Sequence, residues 1–214
     1  MGLASVLNIK PKNNPVVLIG GVYGTKEIPL LVKEYIESLD YDYKLCVEIP
    51  RNYQNIIKDY KQLQHEDVLL KKEFFAKSTD GKVSKELLEL IKAANEVSCI
   101  DTDERDTKYG REFREEEIAN NIEKENNKPI IALIGNIHAV TSKKFEFLGE
   151  RFQTTGILLK RKLGRRKVIS INVQGEGTFF NIEEQEVTTM DLSRYYDYNY
   201  KIDKVTPCTL IGRR

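Results

Sequence analysis

The sequence predicts an α/β protein of a single domain, residues 1–214, with a mostly parallel central sheet flanked by helices and antiparallel strands added near the C-terminus. Three observations carry this. Short apolar runs ending in glycine stand at 15–20 and 130–135, the form of strands covered on both faces. Segments with helically spaced apolar residues alternate with such runs. No linker, repeat or low-complexity block divides the chain, and 214 residues with 40% hydrophobic content suffice for one core.

The elements follow in order. The first strand, 15–20, leads into a tight glycine turn at 20–24. A helix over 27–39 then carries Ile28, Leu31, Val32, Tyr35, Ile36 and Leu39 on one stripe, with Pro29 in its first turn. The second strand is 43–50, stopped by Pro50. Tyr53, Ile56, Ile57, Tyr60 and Leu63 give a helix over 52–63, and 68–75 is a further helical piece. After a turn at 78–81, Ser84 caps a helix running to 94. A third strand, 97–101, precedes a charged stretch, 101–111, and a helix over 112–124. The fourth strand, 130–135, is followed by Asn136-Ile137-His138-Ala139. Residues 157–160 and 168–173 read as two strands joined by a basic turn, 161–167, and Gly175 to Gly177 closes the second. A Tyr-rich tail, 195–200, runs on to Ile202 and Val205.

Composition excludes several functions. Lys+Arg total 34 against 33 for Asp+Glu, so net charge is +1 and the electrostatic basis for non-specific nucleic-acid binding is absent. Three cysteines, Cys46, Cys99 and Cys208, lie far apart, which excludes a C-x-x-C zinc or redox site. With only two histidines, His65 and His138, no three-histidine metal site can form. There is no basic-then-apolar signal peptide at the start, and no run approaches the ~18 apolar residues of a membrane span. The expected location is cytoplasmic, with reduced thiols.

In open parallel sheets, sites form at the carboxyl ends of the strands. Four polar positions fall there: Tyr23, Glu48, Asp101 and His138. Taken singly, each also reads as an ordinary loop or cap residue; taken together they define one pocket. The glycines Gly20 and Gly24 and the polar Asn136 flank it and, with Asp101, are the candidate ligand-binding positions. His65, in a charged stretch, reads as a surface residue. The run from Gly20 to Lys26 departs from a P-loop because Thr25 separates the last glycine from the lysine and Glu27 follows it.

The order and spacing of these residues resemble the erythromycin esterase-like, ChaN-like and Tiki superfamily, which includes TraB/PrgY-type proteins. The resemblance spans 16–138, and more loosely extends to 207. It rests on two strand-following Gly-x-x-His motifs and an intervening strand ending in Glu. The second motif is intact as Gly135-Asn136-Ile137-His138, and Glu48 is the strand-end glutamate. The group's first motif has the form Gly-Glu-x-His-Gly-Thr, and here it reads Gly20-Gly21-Val22-Tyr23-Gly24-Thr25. Gln54 and Tyr60 echo the helix that follows, and Arg114 before Ile118-Ala119 echoes a further arginine.

The resemblance implies a hydrolase scaffold of esterase or peptidase type acting on a small molecule or peptide. Glu48, His138, Tyr23 and Arg114 would be its catalytic residues, and a divalent metal or haem is chemically admissible but not required. Tyr23 and Gly21 replace a histidine and a glutamate, so the alternative is a non-catalytic binder on the same scaffold, including a haem binder.

Overall fold

The structure, a computed structural model, describes residues 2–7, 9, 11–103, 109–147, 149–187 and 191–212. Residues 104–108 of the charged stretch lie outside the described residues, as do 1, 8, 10, 213 and 214 of the two ends.

The order is α1 (Leu3–Val6), β1 (Val16–Gly21), α2 (Glu27–Glu37), β2 (Lys44–Pro50), α3 (Gln54–Leu63), α4 (Asp67–Leu70), α5 (Glu73–Ala76), α6 (Lys85–Ala93) and β3 (Glu96–Asp101). It continues with α7 (Arg111–Glu125), β4 (Ile130–Gly135), α8 (Asn136–Ala139), β5 (Glu146–Phe147), β6 (Glu150–Arg151), α9 (Thr155–Leu163), β7 (Val168–Asn181), β8 (Glu183–Glu186) and β9 (Tyr198–Val205). The main sheet runs β3-β2-β4-β1-β7 with every neighbour parallel, and β9 continues it parallel to β7. β8 folds back antiparallel on the far end of β7, and β5 and β6 form a separate antiparallel pair.

Both faces of β1 and β4 are covered, and for that reason these strands read as unbroken apolar runs. Alternate side chains point to opposite faces. Val17 and Ile19 of β1, with Leu45, Val47 and Ile49 of β2, pack with α2, α3 and α6. Val16 and Leu18 of β1 and Cys46 of β2 pack with α7 and α9 on the other face. Glu48 lies two residues beyond Cys46, so it points toward the α7 face. Ser84 caps α6 as expected, its hydroxyl accepting from the Leu87 amide at 3.1 Å.

β3 is the sheet's outer edge. The Gln54 side chain closes part of it: Nε2 donates to the Val97 carbonyl at 3.0 Å and Oε1 accepts from the Cys99 amide at 2.7 Å.

Two expectations are corrected. Residues 157–160 belong to helix α9, not to a strand. The Thr154 hydroxyl caps that helix by accepting from the Ile157 amide at 3.2 Å, and Gly164 at φ 92° ends it. The apolar run Ile157-Leu158-Leu159 is too short for periodicity to separate helix from strand. The basic run 161–167 is therefore the end of α9 and its exit, not a hairpin turn. The second correction concerns β7, which passes through Gly175 and Gly177 to Asn181 instead of closing there.

The β7–β8 hairpin tip folds over two loops beside the carboxyl ends of the strands. Phe180 N donates to Gly24 O at 2.9 Å, and Ile182 N donates to Thr79 O at 2.5 Å. Gly24 has φ 83°, and a Cβ there would strike the Phe180 carbonyl. Gly164 has φ 92° with nothing within 4 Å of the same position. Gly164→Ala is therefore expected to cost only the strain of a backbone conformation that favours glycine, about 1–2 kcal/mol. Gly24→Ala should cost roughly 2–4 kcal/mol because the hairpin must also move. Urea denaturation of the two variants checks this, and equal losses would refute the packing role.

Candidate functional site

The register brings the strand ends together. Gly21 of β1 lies beside Gly135 of β4, and Pro50 of β2 beside Asp101 of β3. Glu48, at the end of β2, has a side chain only 1% exposed and is engaged on both oxygens. Its Oε2 accepts from the Tyr23 hydroxyl and from the Gly135 amide, both at 2.8 Å. Its Oε1 accepts from Arg114 Nη2 and lies 3.2 Å from Lys82 Nζ.

Arg114, from α7, lies at the centre. It grips Asp101 with two parallel bonds, Nε to Oδ1 at 2.7 Å and Nη2 to Oδ2 at 2.8 Å. Its Nη1 lies 3.1 Å from His138 Nε2. The other ring nitrogen, Nδ1, is 2.6 Å from Glu115 Oε1. Glu115 is fully buried, and its Oε2 accepts from the Thr155 amide at 2.7 Å and the Thr155 hydroxyl at 2.8 Å. One carboxylate thus orients the imidazole and caps α9 at its positive end.

All four predicted catalytic residues, Glu48, His138, Tyr23 and Arg114, meet here, together with Asp101. The other three flanking positions do different work. A Cβ on Gly20 would meet Tyr196 Oη at 2.6 Å and Ala139 Cβ at 2.8 Å, so this glycine lets β1 pack against α8 and the Tyr-rich tail. Gly24 supports the hairpin tip. The Asn136 carbonyl accepts from the Tyr196 hydroxyl, and its side chain accepts from the Ile137 amide at 2.8 Å. Gly21 has a packing reason of its own, since a Cβ there would meet Ile28 Cγ2 of α2 at 2.7 Å. His65 is exposed, as expected.

Two site residues were not anticipated. Glu115 carried a readable signal: with Ile118, Ala119 and Ile122 it follows the i, i+3, i+4, i+7 spacing of the buried stripe, where an unpaired acid would be costly. Lys82 carried none, because a loop delivers it.

Three carboxylates (Glu48, Asp101 and Glu115) face two permanent cations (Arg114 and Lys82). Burial would raise the Glu48 pKa, but the charges of His138, Lys82 and Arg114 and the Gly135 amide hold it well below the ordinary 4.5. Burial also works against a charged His138. The Glu48 charge and the Glu115 hydrogen bond and charge nevertheless raise its pKa above 6.5, with Arg114 opposing. Burial, then the charge and hydrogen bond of Glu48, push the Tyr23 phenol well above 10, so its proton stays in place.

The donor set does not fit a divalent metal, because the guanidinium of Arg114 fills the space among Glu48, Asp101 and His138. Each oxygen of Glu48 and Asp101 already accepts from an N–H or O–H. Among the described residues no cluster of three or more His, Cys, Asp or Glu is arranged to hold an ion. Haem ligation through Tyr23 does not fit either, since its hydroxyl is committed to Glu48 and resists deprotonation.

No family model and no curated protein sequence matches the chain. Solved structures do. ChaN of Campylobacter jejuni, with cofacially bound haem, is similar at TM-score 0.55 and 10% identity, covering 87% of this chain and 87% of that one. A mutant of the erythromycin esterase EreC in its open conformation gives TM-score 0.58 and 11% identity over 83% and 76%. A Bacillus cereus protein gives 0.54 and 12% over 85% and 72%. The chain therefore shares its fold with an erythromycin esterase and with a haem-binding ChaN protein. Among the described residues no helix is long and apolar enough to cross a membrane.

The electrostatics predict a pH profile for stability. Glu48, with a lowered folded pKa, contributes stability present above about 4.5 and lost as pH falls through its folded value. His138, with a raised one, contributes stability present below about 6.5 and lost as pH rises through its folded value. Both contributions are complete between these limits. In denaturant titrations from pH 2 to 9, His138→Gln should flatten the alkaline decline. Glu48→Gln should flatten the acid decline and shrink the alkaline one, because the Glu48 charge is the largest single influence that raises the His138 pKa. An alkaline slope unchanged in His138→Gln would refute the assignment. Arg114→Met leaves Glu48 and Asp101 facing each other with their main cation removed, and the expected loss is about 3–5 kcal/mol in the same assay.

Proposed function

We propose that this protein is a hydrolase of esters or amides with an anionic substrate, in which His138 is the general base. The observation that carries this reading is the buried Glu115–His138 pair. A carboxylate held by Thr155 fixes the ring through Nδ1 at 2.6 Å and leaves Nε2 toward the site. Beside Nε2 stands Arg114, with Lys82 on the far side of Glu48 Oε1; their side chains are 26% and 24% exposed and supply positive charge where an oxyanion forms.

In the proposed sequence, water attacks the carbonyl carbon as Nε2 takes its proton. Arg114 Nη1 moves from the imidazole to the developing oxyanion. The intermediate then collapses, the carbon–oxygen or carbon–nitrogen bond breaks, and the imidazolium returns the proton to the leaving group. Glu48, kept ionised, orients Arg114 and Lys82, and Tyr23 fixes Glu48 as a hydrogen-bond donor. A base with a raised pKa must lose its proton first, so the rate rises with pH through the folded His138 value.

A second reading, a non-catalytic anion binder, draws on two observations: Tyr23 and Gly21 stand where the family pattern has histidine and glutamate, and Arg114 already satisfies Nε2. A panel of esters and amides with carboxylate or phosphate groups separates the two. The hydrolase reading expects turnover reduced by about 10²–10⁴ in His138→Ala. It is overturned if that variant keeps full activity, or if the panel shows no turnover while a ligand raises the melting temperature of the wild type but not of Glu48→Ala.

A further inference from the structure

The basic run at the end of α9 has no part in the site described above. With the loop after α8 it encloses a cleft of about 350 Å³. Lys143 and Lys144 enter from the loop, Lys160 and Arg161 from α9, and Arg165 from its exit, with Ser142 beside them and no carboxylate in the lining. Lys160 is neutralised by Asp197 at 2.8 Å. Arg161 reaches only the neutral Gln153, at 3.3 Å. Among the described residues, Lys143, Lys144, Arg161 and Arg165 form no ion pair.

Basic residues in a last helical turn complement the helix dipole, and this accounts for Lys160 and Arg161. It does not account for Lys143 and Lys144, which arrive from a separate segment to face them. Four unpaired cations gathered around one concavity repel one another. The chain as a whole is close to neutral, at +1, so the clustering is local and not a product of composition.

We propose that this cleft is a binding site for a compact polyanion, an organic phosphate carrying two or more phosphoryl charges. Its volume suits a small molecule, and the gathering of four cations around one cleft favours a short, densely charged ligand over a long duplex that needs an extended basic surface. The site is separate from the one around His138 and does not depend on the proposed hydrolysis.

Pyrophosphate and tripolyphosphate are the probes, titrated calorimetrically into the full chain at low ionic strength. The expected result is saturable one-to-one binding, tighter for tripolyphosphate and weakened by added salt. Arg161 and Arg165 are exposed, so Arg161→Gln/Arg165→Gln should fold normally, as a melting curve would verify, and should weaken binding about ten-fold or more. Lys82→Gln, which alters the other cationic site, should leave it unchanged. The proposal is overturned by unsaturable binding, by equal affinity in the double variant, or by loss of binding in Lys82→Gln instead. It is also overturned if a single-stranded oligonucleotide binds tighter than tripolyphosphate with the same dependence on Arg161 and Arg165, which would assign the cleft to a nucleic-acid backbone.

Discussion

The carboxyl end of the sheet depends on one guanidinium. Glu48 and Asp101 end adjacent strands and would repel each other without a cation between them. Arg114 binds both and also reaches His138. A lysine in its place would be a single point charge unable to hold three partners in fixed directions. Lys82 adds a second positive group from a loop that the hairpin tip holds down. The arrangement is balanced enough that each buried oxygen has a donor, and still leaves two cations at the mouth.

Buried ion networks are a poor means of gaining stability. Well-packed apolar side chains of similar size are often as stable or more so, because no charge has to leave water. This chain has abundant apolar residues on both faces of the same sheet and still places ionised groups at one end. The apolar strand bodies thus contrast with the ionic strand ends, and it is on this contrast that the proposed chemistry rests. It agrees with the position of sites in open parallel sheets.

Much of this was legible in the sequence. The glycine-ended apolar runs marked β1 and β4, and the polar residues just after strands gave Tyr23, Glu48, Asp101 and His138, which do converge. What escaped has physical reasons. Lys82 arrives on a loop with no periodicity to read. Glu115 kept the helical spacing of the core but is an acid, and a stripe read only for apolar residues passes over it. Helix α9 was mistaken because three apolar residues satisfy strand and helix alike, whereas Thr154 and Gly164 at its two ends told them apart. Gly21 and Tyr23 differ in kind: packing against Ile28 accounts for the glycine, while the tyrosine is a working member of the network.

The amide of Gln54 has a consequence at the opposite side of the sheet. An exposed parallel edge offers a ladder of peptide groups on which another extended chain can grow. Here one side chain imitates the peptide of the missing neighbour, giving and receiving one bond each at Val97 and Cys99. A peptide passes the pattern on to the next strand, but a side-chain amide has no backbone behind it to do so. β3 is therefore terminated chemically at that point, and one side chain gives the fold a stop against fibre-like extension.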